Sequence, residues 1–338
     1  MTATPTTVAL LSLLKLRGLG RRTALRIVDQ PIRETDLPGC REAVLSCISR
    51  LRRVSVSVSD FSDAWAESEE QLDLSHDLGI QAISFHVALY PERLKKIPDP
   101  PAVLFVKGKI DGLHATKCLA VVGTREPTSY GKAVASRSAR TAVEAGFIIV
   151  SGLANGCDTY AHEGCLETHG VGVAVLAHGL DMVYPATNRD LAERLVELEG
   201  CLVSEYPIGF GPIQASFAER DRIQSGLSDA VLVIETDLEG GTVHTVRFAR
   251  DQNRPLACIA HPDELLSEVM TKGNQKFIKE GWATPIPNGD ELERYLSGLT
   301  RAVSGGAAEV PGGDPDQQQM SLPFQPVPVK SIQYRRKS

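Results

Sequence analysis

From Cys118 onward, strand-sized apolar runs alternate with segments long enough for a helix: Leu119 to Val122, Phe147 to Val150, Val171 to Leu176, Cys201 to Val203, Ala230 to Ile234 and Leu256 to Ile259. A strand buried on both faces reads as an unbroken apolar run, because neither set of alternate side chains meets water. A helix between consecutive strands carries the chain back to its starting edge, so the strands pair in parallel. The pattern predicts an α/β domain, an extended Rossmann-like, doubly wound parallel sheet with helices on both faces.

The chain before this core reads differently. Leu10, Leu11, Leu13, Leu14 and Leu16 precede a glycine-broken turn, and Ala24, Leu25, Ile27 and Val28 follow it, so residues 1–55 are expected to form a small helical domain. Residues 56–300 are expected to form the Rossmann-like domain. Its entry is read as a bridge made of an alternating strand (Val54, Val56, Val58), an acidic helix around Glu67 to Leu78 and the crossing Ile97-Pro98-Asp99-Pro100-Pro101. Residues 301–338 turn to Gly, Pro, Gln and Ser, the composition of a disordered tail.

A net charge of -6 rules out a chain that is basic all over, so any contact with nucleic acid needs a local basic surface. No apolar run reaches the ~18 residues of a membrane span and no leader pattern is visible, so a cytoplasmic protein with no membrane contact is expected. The seven cysteines (Cys40, Cys47, Cys118, Cys157, Cys165, Cys201, Cys258) make neither a disulfide framework nor a CxxC pair and are read as reduced, mostly buried thiols. His162, Glu163 and Cys165 do not complete a metal site. GxGxxG and GxxxxGK[ST] are both absent, and Ser151 lies outside a GxSxG elbow. No cofactor, metal or catalytic residue is expected, and the chain reads as a binding protein rather than an enzyme.

Open parallel sheets bind ligands beyond the carboxyl ends of their strands, where helix N-termini favour phosphate. Two predicted strands end there in small residues, Gly123-Thr124-Arg125 and Ser151-Gly152-Leu153-Ala154-Asn155-Gly156. Gly123, Thr124, Arg125, Ser151 and Gly152 are therefore candidate phosphate contacts, although each glycine alone fits a tight turn equally well.

Taken in series the motifs are more specific. The two turns are followed by Cys157-Asp158 with Ala161-His162, then Gly179-Leu180-Asp181 with Tyr184-Pro185 and Asn188, then Ser204-Glu205-Tyr206-Pro207. Phe217 through Arg220-Asp221-Arg222-Ile223 to Ser225-Gly226-Leu227-Ser228 comes next, then Glu235 with Gly241-Thr242, and finally Gly273-Asn274. Over roughly residues 90–285 the chain resembles the DprA/Smf family of DNA-processing proteins. The resemblance implies a homodimer that holds single-stranded DNA in a basic pocket during DNA uptake and helps load RecA. It implies a pocket at Gly123, Thr124, Arg125, Ser151, Gly152, Phe217, Arg220, Arg222, Gly241 and Thr242. Guanidinium groups and turn amides would hold phosphates and an aromatic face would take a base, while Phe217 by itself reads as core.

The departures from the family pattern remove positive charge or add negative charge: Asn155 stands for an arginine, Asp221 for an asparagine, Glu219 for a small, apolar or basic residue, and Glu239-Gly240 for a basic residue and a serine. The N-terminal stretch Leu16-Arg17-Gly18-Leu19-Gly20-Arg21-Arg22 looks like a helix-hairpin-helix, which makes Gly18, Gly20, Arg21 and Arg22 further candidate DNA contacts. Gln319, Leu322 and Phe324 resemble the anchors of a peptide that docks on the replicative sliding clamp. The family's frequent C-terminal winged helix is not expected, since the tail lacks helical periods. Two functions stay open: a single-strand-binding mediator working with recombination or replication machinery, or a regulator or antitoxin of an anti-phage or toxin-antitoxin module, binding a cognate toxin or a nucleotide.

Overall fold

The computed structural model describes residues 4–29, 36–50 and 56–304. Helices α1 (Pro5–Lys15), α2 (Arg21–Val28), α3 (Leu37–Ser49) and α4 (Val58–Asp77) come first, then β1 (Ile80–Ser84), α5 (Glu92–Lys95) and β2 (Val103–Gly108). The alternating core follows: β3 (Cys118–Val122), α6 (Ser129–Glu144), β4 (Ile148–Ser151), α7 (Cys157–Glu167), β5 (Gly172–Leu176), α8 (Arg189–Glu197) and β6 (Cys201–Ser204). It continues with α9 (Gln214–Gly226), β7 (Ala230–Val233), α10 (Thr242–Asp251), β8 (Leu256–Ile259), α11 (Lys272–Lys279), β9 (Thr284–Ile286) and α12 (Gly289–Ser304).

The nine strands form one sheet in the order β1-β2-β6-β5-β4-β3-β7-β8-β9. All pairs from β6 across to β9 are parallel. At the other edge β2 runs antiparallel to β6, and β1 antiparallel to β2. After β3 the chain lays β4, β5 and β6 to one side and then returns to place β7, β8 and β9 on the other. The carboxyl end of β3 therefore sits at the switch point where such sheets bind ligands.

The two-sided burial read from sequence is present residue by residue. On β3, Leu119 and Val121 pack with Ala135 and Ala139 of α6 and Leu296 of α12, whereas Ala120 and Val122 pack with Val246 of α10 and Phe277 of α11. On β5, Val173 and Val175 meet Ile223 of α9, whereas Ala174 and Leu176 join a cluster with Leu10, Leu13, Phe61 and Trp65 of the N-terminal helices. Those helices thus share a continuous core with the sheet. All seven cysteines are free thiols, and all but Cys47 are buried.

Val58 does not end a strand but opens α4, because Ser57 and Asp60 form a reciprocal capping box that starts a helix there; Val54 lies outside the described residues. The segment read as a bridge contains β1 and β2. Helix α12 runs on to Ser304, and the rest of the tail, with Gln319, Leu322 and Phe324, lies outside the described residues. No helix among the described residues is long and apolar enough to cross a membrane.

Candidate nucleic-acid interface

The turns after β3 and β4 are built against each other. Thr124 N–H donates to Glu235 O at 2.7 Å, and Thr124 O accepts from Cys157 N–H at 3.1 Å. A Cβ at Gly123 would overlap Cys157 Sγ, and one at Gly156, whose φ is +84°, would overlap Thr124 O. These glycines are thus needed for close approach of turn to turn. Ser151 Oγ donates to Val121 O at 2.7 Å, and Gly152 N–H donates to the Asp158 carboxylate at 3.1 Å. The amides of Thr124 and Gly152 and the Ser151 hydroxyl are therefore committed within the protein, which leaves the phosphate contact expected of these turns to side chains. Arg125 and the neighbouring Glu126 are the exposed charged groups at this corner.

Beyond the ends of β4 and β5 lies a small open cleft lined by Arg125, Gly152, Ala154, Asn155, His178, Tyr184, Pro185 and Phe217. Phe217 is half-buried and forms a wall of the cleft rather than part of the core. The Arg125 guanidinium carbon sits 4.8 Å from the centre of the Phe217 ring, and the Tyr184 ring lies 5.9 Å from it at a tilt of 55°. A cation over one aromatic face beside a second, tilted ring is a favourable arrangement in itself. His178 is a neutral support: its Nδ1–H donates to Gly179 O at 2.9 Å and its Nε2 accepts from Tyr184 N–H at 3.3 Å. Burial pushes its pKa below the usual imidazole range.

The two arginines of α9 part company. The Arg220 guanidinium lies directly behind Gly152, so close that a Cβ there would overlap it. Arg222, only 3% exposed, instead donates from Nη1 and Nη2 to the two oxygens of Glu205, each at 2.6 Å. Arg21 at the start of α2 reaches the same carboxylate at 2.9 Å, Asp99 at 2.6 Å and Glu219 at 3.6 Å. Burial pushes Glu205 up, but the two guanidinium groups outweigh it and hold the carboxyl below its usual range. Arg21 and Arg222 thus spend their charge in an ionic cluster that ties the N-terminal helices to the sheet.

The other candidates stand apart from the cleft. Arg22 is exposed, with a long contact to Pro98 O at 3.4 Å. Gly18, at φ +85°, and Gly20, the N-cap of α2, form the predicted hairpin. Gly241 and Thr242 head α10, outside the cleft lining. Two of the acidic departures are turned inward: Asp221 is buried, and Glu219 accepts from Tyr206 Oη at 2.9 Å besides facing Arg21. Among the described residues no group of three or more His, Cys, Asp or Glu is placed to hold a metal.

A model of the family described as DNA recombination-mediator protein A matches residues 81–297. The chain belongs to this family. The Smf protein of Escherichia coli is 37% identical over 235 residues, which cover 70% of this chain and 61% of that protein. The DNA processing protein DprA of Bacillus subtilis is 36% identical over 203 residues, 60% of this chain and 67% of that protein. This DprA-family chain thus matches about three fifths of the length of its Escherichia coli relative. Among solved structures, the DprA of Streptococcus pneumoniae superposes with a TM-score of 0.66 at 25% identity, covering 86% of this chain and 98% of that one. The DNA processing protein A of Helicobacter pylori, described for its single-stranded DNA binding mode, gives a TM-score of 0.57 at 28% identity, covering 65% of this chain and 96% of that one.

Sequence reasoning had placed Arg125, Gly152 and Phe217 in one site and missed His178 and the role of Tyr184. Position alone could have found His178, which follows β5 as Arg125 follows β3. It also missed Glu205 as the acceptor that takes Arg222.

Proposed function

We propose that this DprA-family protein binds single-stranded DNA across the cleft beyond β3, β4 and β5. The observation that carries the reading is the Arg125 guanidinium over the Phe217 ring at the switch-point edge of the sheet. A guanidinium fork suits a phosphodiester, and the adjoining Phe217 and Tyr184 faces suit unpaired bases of any sequence. Family membership and the single-stranded DNA binding of the Helicobacter pylori relative support it.

In the finer reading the protein is a homodimeric binding protein without a catalytic step that works with RecA on incoming strands. Arg22 and the hairpin at Gly18 and Gly20 would add phosphate contacts, and the peptide around Gln319 would add a sliding-clamp contact. A helical unit over residues 1–55, a Rossmann-like unit over 56–300 and a tail over 301–338 belong to the same proposal. The partner-regulating alternative drew on Asp221 and Glu239: Asp221 is buried, and Glu239, although exposed, lies outside the cleft lining.

The test is binding of a labelled single strand of about 30 nucleotides across a salt series, for wild type and Arg125→Ala. Wild type should bind with a steep salt dependence, and the substitution should lower the slope by about 0.7 for each phosphate that is no longer neutralised. Absence of wild-type binding at low salt would overturn the proposal.

A further inference from the structure

Arg222 and Arg220 are equally buried on α9, yet they are held in opposite ways. Arg222 closes both ends of its fork on Glu205. Arg220 lies between two carboxylates without a short bond to either, 3.9 Å from Asp158 Oδ2 and 3.6 Å from Asp221 Oδ1. Its Nε has no hydrogen-bond partner among the described residues, and its side chain is only 5% exposed. Buried guanidinium groups are normally satisfied, so this one is poised for a further anionic ligand. Gly152 is where this guanidinium comes against the cleft: its backbone lines the cleft, and a Cβ there would overlap the Arg220 group behind it.

Two buried carboxylates flank this cation. Like charges at such a site cannot both ionise at little expense, so one of them holds a proton over part of the neutral range. Asp158 is the better anion, because it accepts the Gly152 N–H. Asp221 is faced by Arg220 on its own helix, Asp158 from α7, Thr245 from α10 and Arg125 from the turn after β3. His162 on α7 and His178 after β5 face Arg220 in turn. Burial pushes Asp221 up to about 7, against the pull of Arg220 and with the charge of Asp158 adding to the rise.

We propose that Asp221 is a proton-operated gate on the cleft: protonated, it leaves Arg220 free to take a strand phosphate at Gly152, and ionised, it neutralises Arg220 and weakens the hold. The gate rests on the single-strand reading above, and it names both the phosphate ligand behind the cleft floor and the group that regulates it.

The test measures affinity for an oligothymidine single strand at constant ionic strength from about pH 6 to about pH 8.5, for wild type and Asp221→Asn. Wild-type affinity should fall by up to about tenfold per pH unit above about pH 7, whereas Asp221→Asn should bind throughout as wild type does at low pH. Calorimetry of wild type in two buffers of different ionisation enthalpy should show proton uptake on binding near pH 8, a readout that does not depend on the variant folding. Wild-type binding that ignores pH, a variant that keeps the wild-type profile, or binding without proton uptake overturns the gate and leaves single-strand binding standing. Absence of binding by wild type at every pH overturns both.

Discussion

Arg222 grips both oxygens of Glu205 at 2.6 Å, and Arg21 from a helix near the N-terminus shares the same carboxylate at 2.9 Å. The Arg222 and Glu205 side chains are 3% and 5% exposed, so neither can turn to water if the other is removed. Such a pair adds little net stability over an apolar replacement but is expensive to break by halves. Arg222→Met should therefore destabilise the fold by about 3–5 kcal/mol, read from the urea midpoint. Arg222→Met combined with Glu205→Leu should recover much of that loss, and a double variant no better than the single would show that the pair is not the source.

Two buried groups give the stability curve opposing pH slopes. Burial and then the charge of Arg220 push His162 down to about 3. The native state therefore keeps a neutral imidazole that the unfolded chain protonates below about pH 6.5, so this contribution is full above that pH and is lost toward pH 3, by up to about 1.4 kcal/mol per unit. Asp221, raised to about 7, has the opposite sign: its contribution is full below about pH 3.9 and is lost as pH rises through 7. His162→Leu should flatten the acid limb, and Asp221→Asn the limb toward neutrality, in urea titrations over a pH series. A constant difference between wild type and His162→Leu from about pH 3 to about pH 6.5 would sink the first assignment.

Gly152 and Gly241 should respond oppositely to alanine. At Gly152 a Cβ would overlap the Arg220 guanidinium, so Gly152→Ala should lose about 1–3 kcal/mol, the usual range for overpacking. At Gly241 nothing lies within 4 Å of the Cβ position and the backbone is helical at φ -53°, so Gly241→Ala should be neutral or slightly stabilising. Denaturant midpoints of the two variants decide the matter.

Phe217 and Arg125 should separate in a binding assay. Phe217→Ala should weaken single-strand affinity by about 1–3 kcal/mol, the worth of one stacked base, while the salt slope stays as in wild type because no charge is removed. Phe217→Tyr should restore most of the affinity. A changed slope in Phe217→Ala would mean that the ring serves mainly to position Arg125.

The core strands from β3 to β8 were legible because burial on both faces leaves an unbroken apolar run for each, as in Leu119-Ala120-Val121-Val122. Strand β2 carries an equally apolar run, Val103-Leu104-Phe105-Val106, but it follows directly on the prolines that were read as a crossing. Strand β9 is Thr284-Pro285-Ile286, and a proline is tolerated there because the strand is at the sheet edge. In the site, Arg125 and Gly152 were legible from the rule that strand ends carry ligands. Phe217 entered the site only through the family resemblance; by itself it reads as core, because sequence does not reveal that the buried side of α9 is taken by Arg220, Ile223, Gln224 and other residues. Whether an arginine meets solvent or a carboxylate is likewise a tertiary fact, and for Arg222 the deciding residue, Glu205, lies on another element.

The acids around Arg21 come from three separate stretches of chain, at Asp99, Glu205 and Glu219. The helical start of the molecule and its sheet are therefore keyed to one another like a plug and socket. A chimera that borrows its first helices from another chain inherits the socket without its pin unless an arginine is supplied at the first position of α2. In this protein the two parts can be exchanged only as a matched set.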